Sequence, residues 1–411
     1  MERRPSFTNN VRTLFFGGTV AFLAFGALTY SLPAEWVLDG TLDAPPTVAS
    51  VPEKKAHLKT PEPLYGIYMS QCVVGTPSFR DSLVSFIDES PLNAVIIDIK
   101  DFTGKIAFQT DNPALAHSVS DACGARDMKE FIATLHEKGI YVIGRITVFQ
   151  DPYYTKLHPE AAVQSAKNPG TPWKDYKGLS FIDVSHRPYW DYVVELSRVA
   201  HEEVGFDEIN YDYIRYPSDG PMSDAQYINP NKAEAVELFW AYLHDKVKPT
   251  GVVTSADLFG YVAVLTDDLG IGQQLERALP YFDYIMPMVY PSHYNKGFAG
   301  LKNPNDDPYT VIYRSMVEAV RRTTATSTVV KTLSGFPIAS TSPQLYTKEG
   351  YVSGKMRAWL QDFDYGKDYT ADDIDAQIRG NQDAGLTSWI FWDAGNKYDS
   401  LRKYYARDVT Q

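Results

Sequence analysis

The sequence predicts a closed (β/α)8 barrel, preceded by an N-terminal transmembrane helix and a Pro-rich linker. Three observations point there. Across residues 64–405, short runs rich in β-branched and aromatic residues alternate strictly with helical stretches, and that alternation builds parallel sheets with right-handed crossovers. The eight repeats in that length match the strand count and size of a closed barrel. The open doubly wound sheet is the alternative. It normally carries a glycine-rich fingerprint after its first strand, and SQCVVGTPS at residues 70–78 is not one.

Taken in chain order, Arg3, Arg4 and Arg12 precede the uncharged run TLFFGGTVAFLAFGALTYSL at residues 13–32. A helix rising about 1.5 Å per residue crosses a bilayer in that length. Basic residues before it, with Glu35 and Asp39 after it, place residues 1–12 in the cytoplasm and the remainder outside. A cleaved signal segment is the competing reading, in which the chain is secreted rather than held at the cell membrane. Both readings export the bulk of the chain. Residues 33–63 contain Pro33, Pro45, Pro46, Pro52, Pro61 and Pro63 and read as an extended spacer.

Strands are expected at residues 65–70, 93–100, 141–149, 207–214, 251–259, 283–290, 328–336 and 386–395. Helices are expected at residues 79–90, 127–139, 187–203, 232–247, 271–280, 309–324 and 370–385. HEKGI and QDAGL place a glycine where a left-handed residue ends a helix just before the next strand.

Composition narrows the chemistry. A net charge of −12 argues against nucleic acid as a partner, since a phosphate backbone demands a basic face. The chain holds 28 Tyr and 7 Trp. Ring faces stack on sugar C–H surfaces while carboxylates take the hydroxyls, so this composition suits a carbohydrate site as well as a large aromatic core. The eight His residues form no HxxH or HExxH, which argues against the usual His-ligated metal hydrolase. No metal and no cofactor are called for. Cys72 and Cys123 fall after the first and second strands, neighbours at the barrel mouth, and an exported chain permits a disulfide between them.

Active sites of this fold sit at the C-terminal ends of the strands, where this chain collects polar groups. The fourth strand, FDEINYDYIRYPSDG at residues 206–220, alternates with period two. Ile209, Tyr211 and Tyr213 then face the helices, while Glu208, Asn210 and Asp212 face the lumen. Asp257 points from the adjacent fifth strand, and two carboxyl groups converging from neighbouring strands fit glycoside hydrolysis. Asp212 is expected as nucleophile and Asp257 as general acid. Asp98 is the alternative second carboxylate. Salt bridges of Asp212 to Arg145 or Arg215, and a capping role for Asp257, are the structural alternatives. Substrate contacts are expected from Asp98, Asp101, Arg145, Asn210, Arg215, Tyr290, His293, Trp392 and Asp393, with Tyr68 as a further stacking ring. Glu208 lies deeper, in a buried polar network.

In order along the chain, GIYMS, NAVIIDIKDFTGKIAF, GRITVFQDP, FDEINYDYIRYPSDG, TSADLFGY, DYIMPMVYPSHY and SWIFWDAGN resemble a bacterial glycoside hydrolase domain family catalogued as a domain of unknown function. The resemblance covers most of residues 64–400 and implies kinship with amylase-like and α-galactosidase-like (β/α)8 glycosidases. It matches their strand-four nucleophile to Asp212 and makes Asp257 the nearest match to their acid/base. The expected function is hydrolysis of a cell-surface or extracellular polysaccharide. A non-catalytic glycan-binding barrel is one alternative, and a hydrolase using Asp98, Asp101 and Asp212 as oxygen ligands to a metal is another.

Overall fold

The computed structural model describes residues 57–329, 338–339 and 345–408. Eight parallel strands close into a barrel: β1 Tyr65–Met69, β2 Ala94–Lys100, β3 Tyr141–Thr147, β4 Glu208–Asp212, β5 Val253–Phe259, β6 Tyr284–Met288, β7 Ala358–Gln361 and β8 Trp389–Trp392. Each strand pairs with its sequence neighbour, and β8 returns to β1 through Tyr65↔Trp389 and Ile67↔Phe391. The predicted 13–32 membrane segment and most of the 33–63 spacer lie outside the described residues. Among the described residues no helix is long and apolar enough to cross a membrane.

Helices lie at the expected places, α1 Pro77–Asp88, α2 Met128–Glu137, α3 Arg187–Val199, α4 Lys232–Val247, a single turn α5 Leu275–Ala278, α6 Pro308–Thr324 and α7 Ala371–Asp383, and a further helix that the pattern did not give, α8 Asp399–Asp408, follows the last strand. Each buries an apolar stripe, as α3 does with Tyr189, Trp190, Val193, Leu196 and Val199, against the outward residues of the strands. Thr370 caps α7 in a reciprocal box with Asp373. The expected 271–280 helix shrinks to the one turn of α5.

The seventh strand is not where the sequence pattern places it. Ser327–Val329 belongs to a small antiparallel sheet with Ile338–Ala339 and Leu345–Thr347, apart from the barrel. The seventh stave is Ala358–Gln361, whose residues AWLQ include none that is β-branched. The β-branched run TVVKTL is the stronger local signal, but only AWLQ completes the ring. Its seam with β6 is short, with Trp359 opposite Met288 as the one register pair. Pro287 in β6 has no N–H to give to that ladder.

Residues 57–63, expected in the spacer, instead pack across the N-terminal floor. Leu58 N donates to Asp207 Oδ1 at 2.8 Å, and Thr60 Oγ1 meets the Tyr141 hydroxyl at 3.0 Å. Leu58 also joins Leu64, Ala94, Ile96, Tyr141 and Ile143 in the lumen core. A larger apolar layer lies between the strands and the helices.

Candidate active site

The inward residues of β4 form three tiers. At the floor, Glu208 is fully buried, accepting from Arg357 Nη1 at 2.9 Å and from the Tyr141 hydroxyl at 3.2 Å. In the middle, Asn210 Nδ2 donates to Ser255 Oγ at 3.0 Å and to Asp257 Oδ1 at 2.8 Å. At the top, Asp212 accepts from Arg145 Nη2 at 2.5 Å and from the Tyr213 amide at 2.6 Å. The outward residues Ile209 and Tyr211 sit in the layer under the helices, where the Tyr211 hydroxyl bonds Ser197 Oγ at 2.9 Å. The period-two alternation therefore holds to residue 212.

It fails at Tyr213. The strand ends at Asp212, and Tyr213 takes the left-handed conformation, φ +52°, rare for a residue with a side chain. That turn brings Tyr213 to the mouth instead of under the helices.

Asp212 and Asp257 line one cavity of about 430 Å³, together with Arg145, Arg215, Tyr290, His293, Trp359 and Trp392. Arg145 is the hub. Besides Asp212 it donates from Nη1 to Asp98 Oδ1 at 2.6 Å, and its Nε lies 3.8 Å from Asp257 Oδ2. Burial opposes the charge on Arg145, but Asp212, Asp98 and the Tyr68 phenol raise its pKa above the ordinary value. The expected Asp212–Arg145 salt bridge and the expected rim location of Asp212 thus coexist. Burial pushes the Asp257 carboxyl well up, and the charge of Asp212 pushes it further; Arg145, Asn210 and Trp359 pull the other way. Trp359 Nε1 donates to Asp257 Oδ1 at 2.7 Å. Burial also raises Asp98, against donations from Arg145 and from the Tyr68 hydroxyl at 2.5 Å. Tyr68 is stacked beneath Trp392, ring centroids 4.0 Å apart.

Tyr290 keeps its phenolic proton, because burial first and then Asp257 and Asp212 disfavour a phenolate. Burial lowers the pKa of His293 and favours its neutral ring, which packs against Tyr290, Phe363 and Tyr365. Arg215 lies over the Tyr213 ring and bonds Ser218 Oγ at 3.0 Å.

Three expected contacts are placed differently. Asn210 is fully buried beneath Asp257 and does not line the cavity; it orients the carboxyl. Asp393 spends its oxygens on the amides of Gly395, Lys397 and Tyr398, shaping the turn after β8. Asp101 accepts from Thr103 N and Oγ1 and faces a neighbouring cavity. The three-carboxylate metal reading does not assemble, because the Arg145 guanidinium stands between Asp98 and Asp212, and Asp101 is engaged by Thr103. Among the described residues no His/Cys/Asp/Glu group is arranged to hold a metal. Cys72 and Cys123 are bonded, as expected, joining the segments after β1 and β2.

The pattern missed Trp359, Phe259, Tyr261 and Tyr294, which wall the cavity. Trp359 follows from recognising β7. The others lie on β5 or in the stretches after β5 and β6, where aromatic clustering in LFGY and YPSHY is the available signal.

A family model described as "Putative glycosyl hydrolase domain" matches residues 66–398. No curated protein matches the chain. Among solved structures, the PgaB (BpsB) glycoside hydrolase domain from Bordetella bronchiseptica superposes with TM-score 0.53 at 14% identity, covering 84% of this chain and 98% of that one. Alpha-L-fucosidase isoenzyme 2 from Paenibacillus thiaminolyticus gives TM-score 0.54 at 11% identity, over 84% of this chain and 49% of its own. A hypothetical protein from Ruminiclostridium thermocellum is 29% identical over 50% of this chain and 98% of its own, with TM-score 0.42. At such identities the first two share the fold alone.

Proposed function

The chain belongs to the glycosyl hydrolase domain family matched over residues 66–398, and from that premise we propose that it hydrolyses glycosidic bonds of a cell-surface or extracellular polysaccharide with Asp212 and Asp257. The carrying observation is the pair itself. Two buried carboxyl groups share one cavity wall and one guanidinium, and their environments differ. Burial and the neighbouring Asp212 favour the protonated form of Asp257, the form a general acid needs. Asp212 is presented to the cavity by Arg145 and the Tyr213 amide. In the reaction Asp212 attacks the anomeric carbon, and Asp257 gives its proton to the leaving oxygen. Water then attacks the anomeric carbon, Asp257 takes its proton, and the ester bond to Asp212 breaks to release the sugar. Tyr290, His293, Arg215 and Trp392 offer donors and ring faces to the sugar.

Export is part of the proposal. The uncharged 13–32 segment behind its arginines supports a membrane anchor or signal segment, and the Cys72–Cys123 bond fits an oxidising compartment.

Asp212→Asn tests the reading. Turnover of a polysaccharide panel, measured by reducing-end release, should fall on the order of a thousandfold or more while the melting temperature barely moves. Full activity in that variant removes Asp212 from the chemistry. Tight glycan binding by the wild-type protein without any hydrolysis would favour the non-catalytic barrel instead.

A further inference from the structure

On the other side of Arg145 and Trp392 lies a second and larger cavity, about 870 Å³. Arg145, Tyr213, Trp392 and Ala394 line both spaces, so the two are arms of one cleft that meet beside the carboxylates. Loops after β4 to β7 enclose the first arm, and segments after β1 to β3 enclose the second. The disulfide Cys72–Cys123 forms part of the second arm's wall.

Each arm presents an exposed ring. Tyr365, 64% exposed, lines the first arm, and Phe102, 53% exposed, lines the second. Large rings left in solvent and aimed along a cleft are platforms for sugar C–H faces. The second arm also holds a polar group without a partner for its oxygen. Gln71 is 2% exposed and lines the second arm, yet its Oε1 accepts no hydrogen bond. A buried acceptor left open costs stability unless something donates to it. Arg145 Nε and Arg215 Nε are likewise open donors at the junction and in the first arm.

The charge of the second arm is balanced. Lys105 and Lys177 line it together with Asp101 and Asp121, while Asp98 is engaged by Arg145. An open neutral acceptor, an exposed ring and no charge surplus suit an uncharged polyhydroxylated chain.

We propose that the second arm binds further sugar units of the same substrate, across the scissile bond from those in the first arm, so that the enzyme cuts within an uncharged polysaccharide instead of trimming its ends. The cutting rests on the hydrolase reading above; the occupancy of the second arm stands on binding alone. The chemistry is hydrolysis: the glycosidic C–O bond breaks, water supplies the new anomeric hydroxyl, and its proton ends on the released chain.

The test uses a disaccharide and longer oligosaccharides of α-glucan, β-glucan, galactan and hexosaminan type, titrated by calorimetry into the Asp212→Asn protein with and without Phe102→Ala or Gln71→Ala. For the glycan that binds, affinity should rise about tenfold or more from disaccharide to the longer chains, and either added substitution should remove most of that gain. If Gln71→Ala does not fold, the exposed Phe102 carries the same test. Wild-type protein should generate mid-sized fragments of the polymer early, with viscosity falling faster than reducing ends appear. Affinity that does not grow with chain length, or release of single sugars from chain ends alone, overturns the proposal. Chain-length-dependent affinity without hydrolysis retains the second arm and sinks the hydrolase reading.

Discussion

In the proposed reaction Asp257 must arrive with its proton on, and its surroundings favour this by subtraction. Burial and the charge of Asp212 hold the proton; Arg145, Asn210 and Trp359 favour its loss. Trp359→Phe keeps most of the ring and deletes the Nε1 donor at 2.7 Å. The charged form of Asp257 then loses support, its pKa rises, and the alkaline limb of kcat/KM should move to higher pH. An unmoved limb, or one shifted down, would show that another group is the acid. At this scale the sequence was readable where a residue's face follows from strand parity. Asp212, Asp257 and Arg145 came out in one pocket for that reason, and Asp98 beside them. The place of Tyr213 was not readable, because its left-handed turn breaks the parity and nothing in YDYIRY announces it. Asp393 and Asn210 carry the right chemistry at nearly the right height, but backbone amides claim one and Asp257 covers the other.

Among the elements, β7 was hidden by its own composition. Four residues without a β-branched side chain make a stave because β6 and β8 flank them, a tertiary cause that local propensity does not register. The strand's exit has a measurable consequence. Asp362, the residue after β7, accepts from the Leu401 amide in the first turn of α8 at 3.1 Å, and burial pushes its pKa up to about 7. In the unfolded chain it titrates near about 4. Between those values the folded protein holds a proton the unfolded chain has lost, so stability declines as pH rises through that window. Asp362→Asn should flatten the decline, and its melting temperature should overtake the wild type by about pH 8. Parallel melting curves across the series would contradict the assignment. The long helices were legible because their apolar stripes are set by sequence alone; α5 was not, since only one turn of QLERALP finds room between β5 and β6.

For the molecule as a whole, the eightfold alternation was the legible part, because every barrel stave except β7 announces itself locally. The floor was not legible: the HLKT residues that close it sit in a proline-rich run and acquire meaning only against Leu64 and Tyr141. The disulfide was legible from position, since adjacent staves bring residues 51 apart in sequence together. Closing a loop of that size restricts the unfolded chain, so reduction should cost roughly 4 kcal/mol. Thermal melts with and without a thiol reductant read this directly. Coincident melts would mean that the bond contributes nothing to global stability. Leu58, tied through its amide to Asp207, closes the floor at the end of the barrel opposite Asp212 and Asp257. The barrel is therefore stoppered at the back, and a bulky polymer reaches Asp212 and Asp257 from the open front.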